Sequence, residues 1–249
     1  MQVIKRIVLL VLLVVFAAAA TAQSPQSPLS DTRISVNTLL REDIFSGFLA
    51  DDMDRFARGE KNIQLLLEQR PNEKPLTLAW SALANVYRAV RANEANKPEE
   101  FQKYYRQSLD LFAQAEKLGP GNPGVAAIHG GTYLVLADRL PKEYRAAAWL
   151  QAYDSYRLLW KFQSGGVEQL PVHLKGELLA GLAQTAQRTG HKEEQAQYID
   201  KMLAVLANTP YEPAAKQWKA HPESASNSSV ACMTCHDAGR LAARVASLK

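Results

Sequence analysis

The sequence predicts an all-α protein, and three observations carry that expectation. From about residue 37 the apolar positions recur at spacings of three and four, no stretch sustains a period of two, and prolines fall at intervals that suit helix starts and stops. Those prolines are Pro71, Pro98, Pro120, Pro123, Pro141 and Pro171. At 249 residues the chain is long enough to bury a substantial core. Its composition, 47% apolar and 22% charged, is that of an ordinary globular domain.

The first 22 residues have the form of an export signal. Lys5-Arg6 precede the apolar run from Ile7 to Phe16, and Ala20-Thr21-Ala22 offers the small-x-small pattern that a signal peptidase cuts. The run is only marginally long enough to span a membrane, so cleavage is expected, with an uncleaved membrane anchor as the alternative. Removing it leaves 27 basic against 25 acidic residues, too little positive charge, and too evenly spread, to favour nucleic acid. Residues 23–36, rich in Ser, Pro and Gln, read as a flexible linker. Antiparallel helices follow near 38–53, 55–69, 75–94, 98–117, 123–138, 142–163, 172–188 and 192–207, within a helical domain over 37–220. Asn122-Pro123 has the character of an N-cap followed by a first-turn proline.

Gly119-Pro-Gly121-Asn-Pro-Gly124 fits a dinucleotide-binding pattern by letter, but it follows an expected helix and holds two prolines, so it reads as an interhelical turn. Asp51, Asp52 and Asp54 read as a solvated helix end, and the Asn227-Ser-Ser sequon as a chance match in a Ser-rich stretch. Residues 221–229 are polar and read as a second linker, which with the tail completes 221–249. Residues 241–248 return to helical spacing, with Leu241, Val245 and Leu248 on one face.

Trp80-Ser-Ala-Leu83-Ala84-Asn-Val-Tyr87 resembles the first helix of a tetratricopeptide repeat, and Ser108, Phe112, Ala115 and Pro120 keep its second-helix spacing. Gly47, Gly59 and Pro71, twelve apart, resemble an earlier unit, and looser ones surround Gly130 and Gly190. About twelve extra residues separate Tyr87 from Ser108 relative to the standard repeat. The resemblance covers roughly residues 40–208 and implies a solenoid of antiparallel helix pairs whose groove holds a protein partner. A plain helical bundle is the alternative. At helical spacing, most of Trp80, Tyr87, Tyr104, Tyr105, Tyr133, Trp149, Tyr153, Tyr156 and Trp160 are expected in the core.

Both cysteines of the chain lie in one pentapeptide, Cys232-Met-Thr-Cys235-His236. Its chemistry predicts one covalently attached haem c. The two thiols add across the haem vinyl groups as thioethers, and the adjacent histidine is carried beneath the iron as its proximal ligand. Such attachment takes place outside the bacterial cytoplasmic membrane, which agrees with the export signal. A redox-active dithiol would require strands that the sequence lacks, and a zinc site would require a fourth ligand. A structural disulfide needs neither. The tail through Arg240 resembles the last helix of the cytochromes c-prime, although Gly239 stands where that family usually has an aromatic residue. That resemblance implies a haem resting against helices with Arg240 near its propionates. The distal ligand is open among His129, His173, His191, His221, Met53 and Met202, with His221 foremost because it is nearest in sequence.

These features lead to the expectation of a periplasmic monohaem cytochrome that exchanges electrons with a docked protein partner. The alternatives are a haem-free adaptor with a Cys232–Cys235 disulfide and an enzyme or gas sensor with an open iron position. No catalytic residue is expected for an electron carrier.

Overall fold

The computed structural model describes residues 29–227 together with 243, 246 and 247, and every regular element among them is helical. Helix α1 (Val36–Arg41) runs into a π-helical stretch, Glu42–Ser46, and a final turn, Gly47–Leu49. Then come α2 (Met53–Gln69), α3 (Lys74–Glu94), α4 (Pro98–Leu118), α5 (Pro123–Leu136), α6 (Lys142–Gln163), α7 (Val172–Arg188), α8 (Lys192–Val205) and α9 (Glu212–Ala220). Helices α2 to α8 match the expected ones closely in place and length, whereas the first, expected over 38–53, is broken by the π-helical stretch and ends at Leu49. Helix α9 is not among the expected elements.

The punctuation is chemical. Pro75, Pro98, Pro123 and Pro213 sit in the first turns of α3, α4, α5 and α9, where the missing N–H has no intrahelical partner to lose. Pro141 and Pro171 occupy the N-cap positions of α6 and α7. Asn122 accepts from Gly124 N at 2.8 Å, and Asp52 accepts from Arg55 N at 2.9 Å, each satisfying an orphan donor at a helix start. The turn before α5 requires Gly121 at φ +69°, a backbone conformation that L side chains rarely adopt, so the glycine-rich stretch is the interhelical turn its prolines suggest.

Short connections set consecutive helices side by side: α3 packs on α4, α5 on α6 and α7 on α8, while α5 also meets α3 and α7 meets α6. Trp80, Leu83, Ala84 and Tyr87 are all buried, as the helical spacing requires. Phe45 meets the Trp80 ring edge-on at 5.4 Å, and Phe56 meets Tyr87 at 4.8 Å. Of the nine aromatic residues expected inside, Tyr104 and Trp160 are only half-buried.

The N-terminal linker expected over 23–36 needs correcting in its described part. Residues 23–28 lie outside the described residues, but Ile34 and Val36 are buried. Arg70, itself buried, donates to the carbonyls of Leu29 at 2.9 Å, Ile34 at 2.7 Å and Asp31 at 2.8 Å. One planar guanidinium thus holds three backbone acceptors some forty residues away. Its effect is invisible in local composition. At the other end, Ala243 and Ala246 are helical, as the spacing over 241–248 predicts.

Helix α7 is buried from Leu178 through Ala186 without a break. Its small residues make this possible. A methyl added at Gly181 would land on the Tyr156 ring, and one at Gly176 on the Tyr211 ring. Gly181→Ala is therefore expected to cost about 1–3 kcal/mol through overpacking. Gly131, in mid-helix with nothing near its missing side chain, provides the opposite case. Gly131→Ala should stabilise by about 0.5–1 kcal/mol. Urea unfolding of the two variants checks both signs.

Candidate functional site

Cys232, Cys235, His236 and Arg240 lie outside the described residues. The segment that leads the chain to them is described, and it differs from the linker expected there. Helix α9 ends as His221 N donates to Gln217 O at 2.8 Å, and Pro222–Asn227 then form a 3-10 helix. This short helix is seated on α7 and α8. Gln184 donates to Ala225 O at 3.0 Å, Arg188 to Ser226 O at 2.5 Å and Gln195 to Pro222 O at 2.7 Å. Ala225 is fully buried.

The polar side chains of Pro-Glu-Ser-Ala-Ser-Asn suggest a linker, yet the anchoring acts on the backbone carbonyls. Gln184 and Gln195, both buried, supply two of the donors. Sequence reading misses α9 for a related reason. Its signal is only Tyr211, Ala215 and Trp218 at helical spacing, a short run of three apolar contacts. With α9 and the 3-10 helix in place, the chain is held to the helical body as far as Ser226.

The candidate distal ligands separate by burial and partners. Met202, on α8, is fully buried. His129 is stacked on Phe112 at 4.0 Å, with Nδ1 2.8 Å from Glu116 and Nε2 3.3 Å from Gln151. Both of its ring nitrogens are engaged. His191 is stacked on Tyr153 at 4.2 Å, with Nδ1 2.8 Å from Thr189 Oγ1. Met53 is half-buried, its sulfur 4.0 Å from the Tyr87 hydroxyl, and the His173 side chain is half-buried. The His221 side chain is 70% exposed, with Nδ1 3.7 Å from Glu223. Among the described residues no three His, Cys, Asp or Glu side chains converge as a metal site.

Two concavities flank this end of the molecule. A cavity of about 430 Å³ lies between α8, α9 and the 3-10 helix, lined by Gln187, Lys192, Ile199, Trp218, Lys219 and Pro222. An open groove of about 960 Å³ runs between α6 and α8, past Arg157, Trp160, Lys161, Glu194, Tyr198 and Lys201. Lys201 pairs with Glu168 at 2.8 Å, and that hydrogen bond holds the Glu168 carboxyl below its ordinary range. Trp160 meets Tyr198 edge-on at 5.7 Å. Among the described residues no helix is long and apolar enough to cross a membrane.

Burial, and after it the nearby Glu194 carboxylate, pushes the Tyr153 and Tyr198 phenols from 10 up to about 12. The fold therefore favours the neutral phenol more than the unfolded chain does. That stabilisation is fully present below pH 10 and is lost as pH rises towards 12, since the unfolded tyrosines ionise first. Tyr198→Phe should shrink the loss of stability between pH 10 and 12, with little change near neutrality. Urea unfolding across that range, set beside an absorbance titration of phenolate, measures it. No protein-family model matches the chain, and neither does any curated protein or solved structure.

Proposed function

We propose that this chain is an extracytoplasmic monohaem c-type cytochrome on a tetratricopeptide-like helical scaffold, exchanging electrons with a docked protein partner. The observation that carries the reading is the Cys232-Met-Thr-Cys235-His236 pentapeptide, which holds both cysteines of a chain that begins with an export signal. The donor set suits haem c: two thiols spaced for thioether attachment and an imidazole next to the second of them. Haem c supplies a one-electron iron couple.

The chain's own residues have separate tasks in this reading. Cys232 and Cys235 fix the group to the backbone, each sulfur bonding one vinyl carbon while its proton goes to the other. His236 presents a neutral ring nitrogen to the iron. His221, exposed and fifteen residues before His236, is the candidate for the opposite face. The succession of antiparallel helix pairs supports the repeat-like scaffold, and the groove past Trp160 suits a protein partner.

Production with the signal sequence, in a bacterium equipped for periplasmic haem attachment, tests the reading. The protein should stain for haem on a denaturing gel, give a pyridine haemochrome spectrum and gain roughly 616 Da. Cys232→Ser together with Cys235→Ser should abolish all three. A folded product that has instead lost about 2 Da would identify a disulfide-bonded adaptor and sink the cytochrome reading. In the holoprotein, His221→Ala should convert a six-coordinate spectrum to a five-coordinate one. A spectrum identical to that of the parent would remove His221 from the iron.

A further inference from the structure

We propose that one end of the helical body is a docking face for the surface of an anionic phospholipid bilayer. Among the described residues six large apolar side chains are exposed, and four of them, Leu118, Phe162, Val172 and Leu174, belong to this end. Antiparallel pairing brings them there. Leu118 closes α4, Phe162 stands in the last turn of α6, and Val172 and Leu174 open α7. The turn after α4 reaches α6, since a side-chain carbon at Gly121 would sit 3.7 Å from the Phe162 ring. Single exposed apolar residues are ordinary on a protein surface, whereas a group of them at neighbouring helix ends marks an interaction site.

Charge decides what covers it. Lys117 precedes Leu118, Lys161 precedes Phe162 and Lys175 follows Leu174. Lys74 starts α3, whose Pro75 lies 3.0 Å from where a side chain on Gly119 would begin. Lys74, Lys117 and Lys161 are exposed, with no ion pair among the described residues. The acids beside them are already engaged: Glu73 with Arg70 at 3.2 Å, Glu116 with His129 at 2.8 Å and Glu168 with Lys201 at 2.8 Å. This end therefore offers apolar tips interspersed with unmatched ammonium groups. Lipid complements both, because the tips enter the acyl boundary while the ammonium groups meet phosphates. A second copy of the chain matches less well, since a two-fold contact sets the face against itself and brings like charges together.

Docking also sets an orientation. Leu174 and Arg188 are about 20 Å apart along the axis of α7. A body resting on the Leu174 end holds the opposite end in water, where Gln184 and Arg188 carry the 222–227 helix.

Co-sedimentation of the full-length protein with phosphatidylcholine vesicles, with and without phosphatidylglycerol, tests the proposal. Anionic vesicles should bind about ten-fold more tightly than neutral ones, and raised salt should weaken the binding. Hydrogen exchange on the anionic vesicles should slow over 117–121 and 160–175 and stay unchanged over 88–97. Phe162→Ser/Leu174→Ser should weaken binding about ten-fold. Lys117→Gln/Lys161→Gln, at exposed positions that leave urea unfolding unchanged, should weaken binding to anionic vesicles by a similar factor. A parent protein that binds neither vesicle, or that binds with protection confined to other segments, would overturn the proposal, as would variants that bind like the parent. A parent dimer that Phe162→Ser/Leu174→Ser renders monomeric in sedimentation equilibrium would assign the face to a second copy and overturn the lipid.

Discussion

The C-terminal half leans on one stretch of α7, Leu178–Ala186, which is buried without a break. A helical stretch covered on all sides needs partners on every face, and here they come from α6, α8, the Tyr211 ring before α9 and the 3-10 helix that follows α9. Tyr156 of α6 closes over Gly181, and Tyr211, just before α9, closes over Gly176. Gln184 and Arg188 carry the carbonyls of Ala225 and Ser226. Without the small residues on α7, neither ring fits, and without the rings the helix is left half wet.

The molecule has two adjoining apolar cores. The first gathers buried residues from Ile34 to Ala152 and the second from Ala126 to Ala225, with Leu134 packed against both.

The helices are legible in the sequence because their causes are local. The apolar period sets α2 through α8, and Pro98, Pro123, Pro141 and Pro171 set where four of them begin. Cys232, Cys235 and His236 lie outside the described residues, and their reading as a haem-attachment site rests on the pentapeptide alone. What the sequence hides is long-range. Residues 29–36 and 222–227 look like linkers because their side chains are mostly small or polar. Their order comes from Arg70 and from Gln184, Arg188 and Gln195, side chains up to 41 residues away that bind backbone rather than side chain. The cavity beside α9 is hidden likewise, because Trp218, Ile199 and Gln187 become neighbours only once α9 has docked.

The fastening by Arg70 also imposes an order of events on a chain that emerges from its N-terminus. Segment 29–34 is made before Arg70; Asp31 O has a local donor in Ile34 N, but the guanidinium that joins the carbonyls of Leu29, Asp31 and Ile34 follows only roughly forty residues later. The segment of 222–227 has the reverse history, for its donors on α7 and α8 are already in place when it appears. One end of the body therefore closes by waiting and the other by landing. A chain interrupted before Arg70 lacks the guanidinium that gathers the carbonyls of Leu29, Asp31 and Ile34.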